Sequence, residues 1–116
     1  MTSHRKHRVA ELLRQAISDI VVHRIKDPRV QGITITDVQM SADLKSARVY
    51  FSSLTDGKMD LHLKGLNAAE GFIRRELRIE LDLKYIPALA FFYDTSFDNF
   101  SRINKILKEI GPEQDD

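Results

Sequence analysis

The chain has no cysteine among its 116 residues, which excludes disulfides, thiolate metal sites and thiol nucleophiles. It also lacks any apolar run near the roughly 20 residues that cross a bilayer, and any signal-peptide hydrophobic region. The reading is therefore a cytoplasmic protein in a reducing compartment, with no membrane partner. Proline and glycine are scarce, at three and five, and there are no repeats or low-complexity tracts. No serine–histidine arrangement or phosphate-cradling glycine loop is present. No catalytic residues, no enzyme activity and no cofactor are expected.

What is present suffices for one packed domain. Hydrophobic residues make up 42% and charged residues 30% of the chain, and the length suits a single unit. We place that domain at residues 1–111, with an acidic flexible tail at 112–116 after Gly111-Pro112. The net charge of +1 says little as a total. Its distribution says more. Residues 1–29 hold seven cations (Arg5, Lys6, Arg8, Arg14, Arg24, Lys26, Arg29) against three acids (Glu11, Asp19, Asp27), an excess of four. Such asymmetry can direct an anionic partner to one face; the alternative is an ordinary solvated helix surface.

Val9, Leu12, Leu13, Ala16, Ile17, Ile20, Val21 and Ile25 recur at helical spacing and predict a first helix from about Ser3 to Ile25. Asp27-Pro28 ends it, because the residue before a proline is pushed out of the helical region. Ile33 and Ile35, then Val38 and Met40, alternate in two phases, so a one-residue slip near Thr36-Asp37 predicts a β-bulge. A connection at 41–45 leads into a second strand, with Ala47, Val49 and Phe51 on one face and Arg48, Tyr50 and Ser52 on the other. After a turn at 55–58, Met59, Leu63, Leu66, Ala69, Ile73, Leu77 and Leu81 form a second helical stripe.

Gly71 sits inside that stripe, where glycine costs roughly 1 kcal/mol relative to alanine. We read Ala69-Glu70-Gly71 as a break that divides it into two short helices. Ala88 to Tyr93 follows Pro87 as a third strand, apolar on both faces and so expected to be central or well covered. Ser96 then caps a last helix carrying Phe97, Phe100, Ile103, Leu107 and Ile110. The fold class is α+β: a two-layer sandwich with a three-stranded sheet, in the order helix, strand, strand, helix–break–helix, strand, helix. That order is the layout of a KH-like nucleic-acid-binding domain.

Several segments, taken in order, carry a specific likeness. They are Arg8-Val9-Ala10-Glu11, Lys26-Asp27-Pro28-Arg29, Ile33-Thr34-Ile35-Thr36-Asp37-Val38, Ser41-Ala42-Asp43-Leu44, Ala47-Arg48-Val49-Tyr50-Phe51-Ser52, Ala69-Glu70-Gly71-Phe72-Ile73-Arg74, and Pro87 through Asp94. Across nearly its whole length the chain resembles the ribosome-binding factor A family of bacterial small-subunit assembly factors. The resemblance implies a type II KH-like fold in which an Ala-x-Gly kink replaces the Gly-x-x-Gly loop of ordinary KH domains. It implies a monomer that binds the immature 30S subunit and its rRNA, promotes late maturation including rRNA 5′-end processing, and acts in growth in the cold. It further implies release assisted by a ribosome-associated GTPase or an initiation factor. The contrasting reading is a protein–protein adaptor of KH-like fold without RNA contact.

The expected RNA-binding residues are Arg5, Lys6 and Arg8 at the first helix, Lys45 and Arg48 at the hairpin, and Arg74, Arg75 and Arg78 beyond the break. For the last three, the alternative is intrahelical pairing with Glu70, Glu76, Glu80 and Asp82. Glu70 would place a carboxylate in any phosphate path at the break, which favours a structural kink at Ala69, Glu70 and Gly71 over a nucleotide clamp. Tyr50 alone is not a stacking platform, and Phe91, Phe92, Tyr93, Phe97 and Phe100 are assigned to the core. His4 and His7 are spaced as metal ligands but nothing nearby completes the set, so no metal is expected. Asp37, Asp43, Asp94 and Asp98 offer carboxylates for a catalytic pair or a divalent-ion site, though turns and caps account for Asp43 and Asp98 more simply.

Overall fold

A computed structural model describes residues 2–54 and 57–96. The expected last helix and acidic tail, Asp98, and the side chain of His4 lie outside the described residues. Helix α1 (Thr2–His23) is followed by a 3-10 turn (Pro28–Val30), strands β1 (Ile33–Met40) and β2 (Ser46–Ser53), helix α2 (Met59–Glu80) and strand β3 (Ala88–Tyr93).

The first helix buries Ala10, Leu13, Ile17, Ile20 and Val21, the face that its apolar spacing dictates. Its chain then turns at Asp27, which is extended (φ −67°, ψ 123°) and whose carboxylate accepts from Arg29 N. Strands β1 and β2 pair antiparallel from Ile33↔Ser53 to Met40↔Ala47, with the register shift between Ile35 and Asp37. The bulge at Thr36 is what lets Ile33 and Ile35, and then Val38 and Met40, all point into the core. In the connecting turn, Asp43 accepts from Ser41 Oγ (2.6 Å) and Lys45 N (3.0 Å), and Leu44 takes a positive φ of 62°.

The sheet order is β1-β2-β3. Strand β3 runs parallel to β2, with Ala47 opposite Leu89 and Tyr50 opposite Phe92, so α2 serves as the crossover that parallel pairing requires. Ile33, Ile35, Val38, Met40, Ala47, Val49, Phe51, Leu89 and Phe91 join the helices' apolar residues in one core. The fold class expected from the sequence is the one observed, an α+β arrangement with a three-stranded sheet.

Two expectations are corrected. The stripe from Met59 to Glu80 is one continuous helix, not two separated at Ala69-Glu70-Gly71. Gly71 is exposed and a Cβ there would meet nothing within 4 Å. A glycine in such a place weakens a helix without removing any of its backbone hydrogen bonds, so the ladder continues through it. The second correction concerns β3, which is an edge strand rather than a central one. Its outward positions are Ala88, Ala90 and Phe92, and Phe92 remains 43% exposed, resting against Tyr50 at 5.7 Å between ring centroids. The outer face looked apolar in sequence because two of its three residues are alanines, which need no cover.

Candidate nucleic-acid interface

The entrance of α1 packs against the β1–β2 hairpin and the 81–87 segment, and it carries the basic residues to that end of the molecule. Arg5 borders a cavity of about 210 Å³ with Met40, Leu44, Leu83 and Tyr85. One turn away in space, Lys6 and His7 border a second cleft of about 350 Å³ with Asp37, Gln39 and Arg48. Met40 lines both, so the two are neighbours. Arg48 donates to Gln39 Oε1 at 3.0 Å, and Lys45 is exposed at the hairpin. Three of the expected residues, Arg5, Lys6 and Arg48, are thus brought together, while Lys45 borders neither cleft. Arg8 is exposed on α1 but borders neither cleft.

Charge pairing leaves this end positive. Farther along α1, Arg14 donates to both oxygens of Glu11 (3.0 and 2.6 Å) and Gln15 adds a third bond at 3.0 Å. The Arg14 guanidinium, then the Gln15 amide, hold the Glu11 carboxyl down at about 2. Asp19 is held below the usual carboxylate range by His23 and Arg24. Asp27 is lowered in the same way by Arg29. Among the described residues Arg5, Lys6, Arg8 and Lys45 form no ion pair, and their charge is directed to solvent.

The arginines of α2 separate into two kinds. Arg74 turns inward and donates to the Ile86 carbonyl at 3.1 Å. Its Nε is buried without a hydrogen-bond partner among the described residues, 3.8 Å from Glu70 Oε2. Arg75 is exposed, with its guanidinium 5.9 Å from the Phe72 ring centroid, and Arg78 is exposed in the last turn. Of the acids named as their intrahelical partners, Glu70 stays beside Arg74 as an i,i+4 ion pair, while Glu76 and Glu80 reach another helix. Glu76 accepts from Arg24 Nη1 at 2.8 Å and Glu80 pairs with the same guanidinium, which fastens the end of α1 to α2. Glu70 accepts from Leu89 N at 3.1 Å. Its carboxylate therefore closes an amide of the edge strand, a structural contact for Glu70.

The groups that resembled chemistry are structural. His62 is 3% exposed; its Nδ1 lies 2.7 Å from Arg29 O and its Nε2 lies 2.8 Å from Ser53 Oγ. A carbonyl only accepts, so Nδ1 carries a proton, and Nε2 pairs with the hydroxyl. Asp37 accepts from Val38 N, and Asp94 accepts from Thr36 Oγ1 at 2.5 Å and from Ser96 N at 2.9 Å. Among the described residues no three His, Asp or Glu side chains converge as a metal set, and no helix is long and apolar enough to cross a membrane.

Two residues were not singled out by sequence reasoning. Lys84 Nζ stands 5.6 Å from the Tyr85 ring centroid, and Tyr85 is 66% exposed. The available signal was a basic–aromatic pair in the short connection before a strand-opening proline.

Residues 5–107 match the family model described as Ribosome-binding factor A. The ribosome-binding factor A of Syntrophus aciditrophicus is 44% identical over 114 residues, covering 96% of this chain and 91% of that protein. The one from Syntrophobacter fumaroxidans is 42% identical over 109 residues, covering 91% and 93%. Among solved structures, the crystal structure of ribosome-binding factor A from Thermus thermophilus superposes with a TM-score of 0.70 at 23% identity, covering 76% of this chain and 93% of that one. A homology model of the Thermus thermophilus factor, fitted into an electron cryo-microscopy map of a 30S complex, gives a TM-score of 0.62 at 22% identity, over 74% and 91%.

Proposed function

The chain belongs to the ribosome-binding factor A family, and from that membership we propose that it binds the small ribosomal subunit through rRNA and acts as an assembly factor without catalysis. The observation that carries the RNA contact is the cationic end formed by Arg5, Lys6 and Arg48, together with exposed Lys45 and Arg8, none of which forms an ion pair among the described residues. The Thermus thermophilus relative has been fitted on a 30S complex, which supports the same partner here. Arg75 and Arg78 supply a second exposed basic patch, whereas Arg74 serves the fold.

Phosphate contacts supply the affinity, and the shape of the rRNA supplies selectivity, because structured RNA offers little access to base edges. Binding favours one rRNA conformation and so biases late folding, including maturation of the 5′ end. The protein works as a cytoplasmic monomer, released with the help of a GTPase or an initiation factor. The test is co-sedimentation with free small subunits and with assembled ribosomes over a salt series. Salt-sensitive binding to free subunits is expected. Binding to neither particle, or binding to subunits without salt dependence, sinks the RNA reading, and the second outcome favours an adaptor.

A further inference from the structure

We infer that the cavity between Arg5, Leu44, Leu83 and Tyr85 takes one unpaired RNA base, stacked on Tyr85 with its phosphate at Arg5 and Lys84; this rests on the RNA reading above. Three elements converge there: the first turns of α1, the β1–β2 hairpin and the segment that leads into β3. The floor is apolar, since Leu44 and Leu83 pack against the core. The hairpin presents Leu44 through its positive φ of 62°, which brings that side chain to the wall.

The rim is polar and divided by sign. Arg5 and Lys84 stand on it as cations, and unpaired Lys45 lies in the adjoining turn. Asp43 is the one rim carboxylate, held by Ser41 Oγ and Lys45 N through a single oxygen. A carboxylate repels a phosphate but accepts from an amino group, so the site is complementary to a base with donors on one side and a phosphate on the other. A plain anion or an apolar peptide side chain satisfies only half of it.

The aromatic residue completes the set. Tyr85 keeps two thirds of its surface in water, where a large ring serves no packing purpose. Lys84 already lies near its ring, and a base stacked on the ring would share that cation. The volume of about 210 Å³ is below the roughly 300–1,000 Å³ of pockets for drug-sized ligands. It suits a single base and leaves no room for a helix.

Tyr85→Ala, Tyr85→Phe and Tyr85→Trp in the full chain test this, since the exposed ring contributes little to folding. On small subunits, Tyr85→Ala should bind about fivefold or more weakly, the loss expected for one stacked base, while Tyr85→Phe binds like the parent. The chain has no tryptophan, so the Tyr85→Trp protein carries a single reporter. Its fluorescence should be quenched by mixed-sequence single-stranded RNA and not by duplex RNA or polyphosphate. Parental affinity in Tyr85→Ala, or equal quenching by the duplex, overturns the inference and leaves the assembly role standing. Should the parent itself fail to bind subunits, the assembly role falls, and the single-strand quenching alone then decides this site.

Discussion

Gly65 of α2 lies so close to Arg29 that a β-carbon on the glycine would stand 2.8 Å from Arg29 Cβ and 2.9 Å from Val30 Cγ1. Neither atom is the loose end of a side chain, so the 3-10 turn would have to move. This approach lets α2 seat against the turn, where His62 takes the Arg29 carbonyl. Gly65→Ala should therefore destabilise the protein by about 1–3 kcal/mol, the usual cost of overpacking. Gly71→Ala meets open space and should stabilise it by up to roughly 1 kcal/mol through helix propensity. Urea unfolding followed by circular dichroism reads both; equal midpoints for the two variants would contradict the assignment.

Those two glycines show where sequence reading stops. Both interrupt the same apolar stripe, and only the packing of a distant turn tells them apart. The periodic features were legible: the α1 stripe and the Thr36 bulge follow from side-chain alternation alone. The basic entrance of α1 and Arg48 could be named, and the fold then joined them. What could not be read was which acids reach which arginines. Glu76 and Glu80 stand at neither three nor four residues from Arg74, Arg75 or Arg78, and both serve Arg24 from α1. Tyr85 offered only its pairing with Lys84 as a signal, because its other cavity neighbours come from α1 and the hairpin.

The Glu70 bond to Leu89 N makes a prediction about the sheet edge. Glu70→Ala should cost about 1–2 kcal/mol, a charge-assisted hydrogen bond that is partly open to water. Glu70→Gln should recover most of it, because the amide oxygen still accepts. Hydrogen exchange at the Leu89 amide reads the contact directly: faster exchange in the alanine variant, near-native exchange in the glutamine variant. Unchanged exchange at Leu89 in Glu70→Ala would dismiss this role.

Asp94 links the exit of β3 to the β1 bulge, and the Thr36 hydroxyl holds its carboxyl below the usual carboxylate range. A depressed folded-state value means that the stabilisation is complete above the unfolded value, about 3.9 for aspartate. It is lost as pH falls through the folded value. Thr36→Val should thus be about 1 kcal/mol less stable at pH 7, a modest figure because the half-buried carboxylate is screened by water. The gap should close on acidification below the unfolded value. A gap of constant size from pH 7 to pH 2, measured by urea midpoints, would exclude the carboxylate as its source.

Arg74 and the pair Lys6 and Arg48 should separate stability from binding. Arg74→Ala removes the donor to the half-buried Ile86 carbonyl and should cost about 1–3 kcal/mol. The salt dependence of subunit binding should stay unchanged if that guanidinium serves the Ile86 carbonyl and not a phosphate. Lys6→Ala with Arg48→Ala alters exposed or half-exposed side chains, and unfolding should shift by no more than about 0.5 kcal/mol. Two lost phosphate contacts should flatten the slope of log affinity against log salt by roughly 1.4–1.8. Binding measured by co-sedimentation at several salt concentrations, beside urea unfolding of the same proteins, gives both quantities. A changed slope for Arg74→Ala with native stability would move that arginine into the interface. An unchanged slope for the double variant would remove the α1 entrance and Arg48 from it.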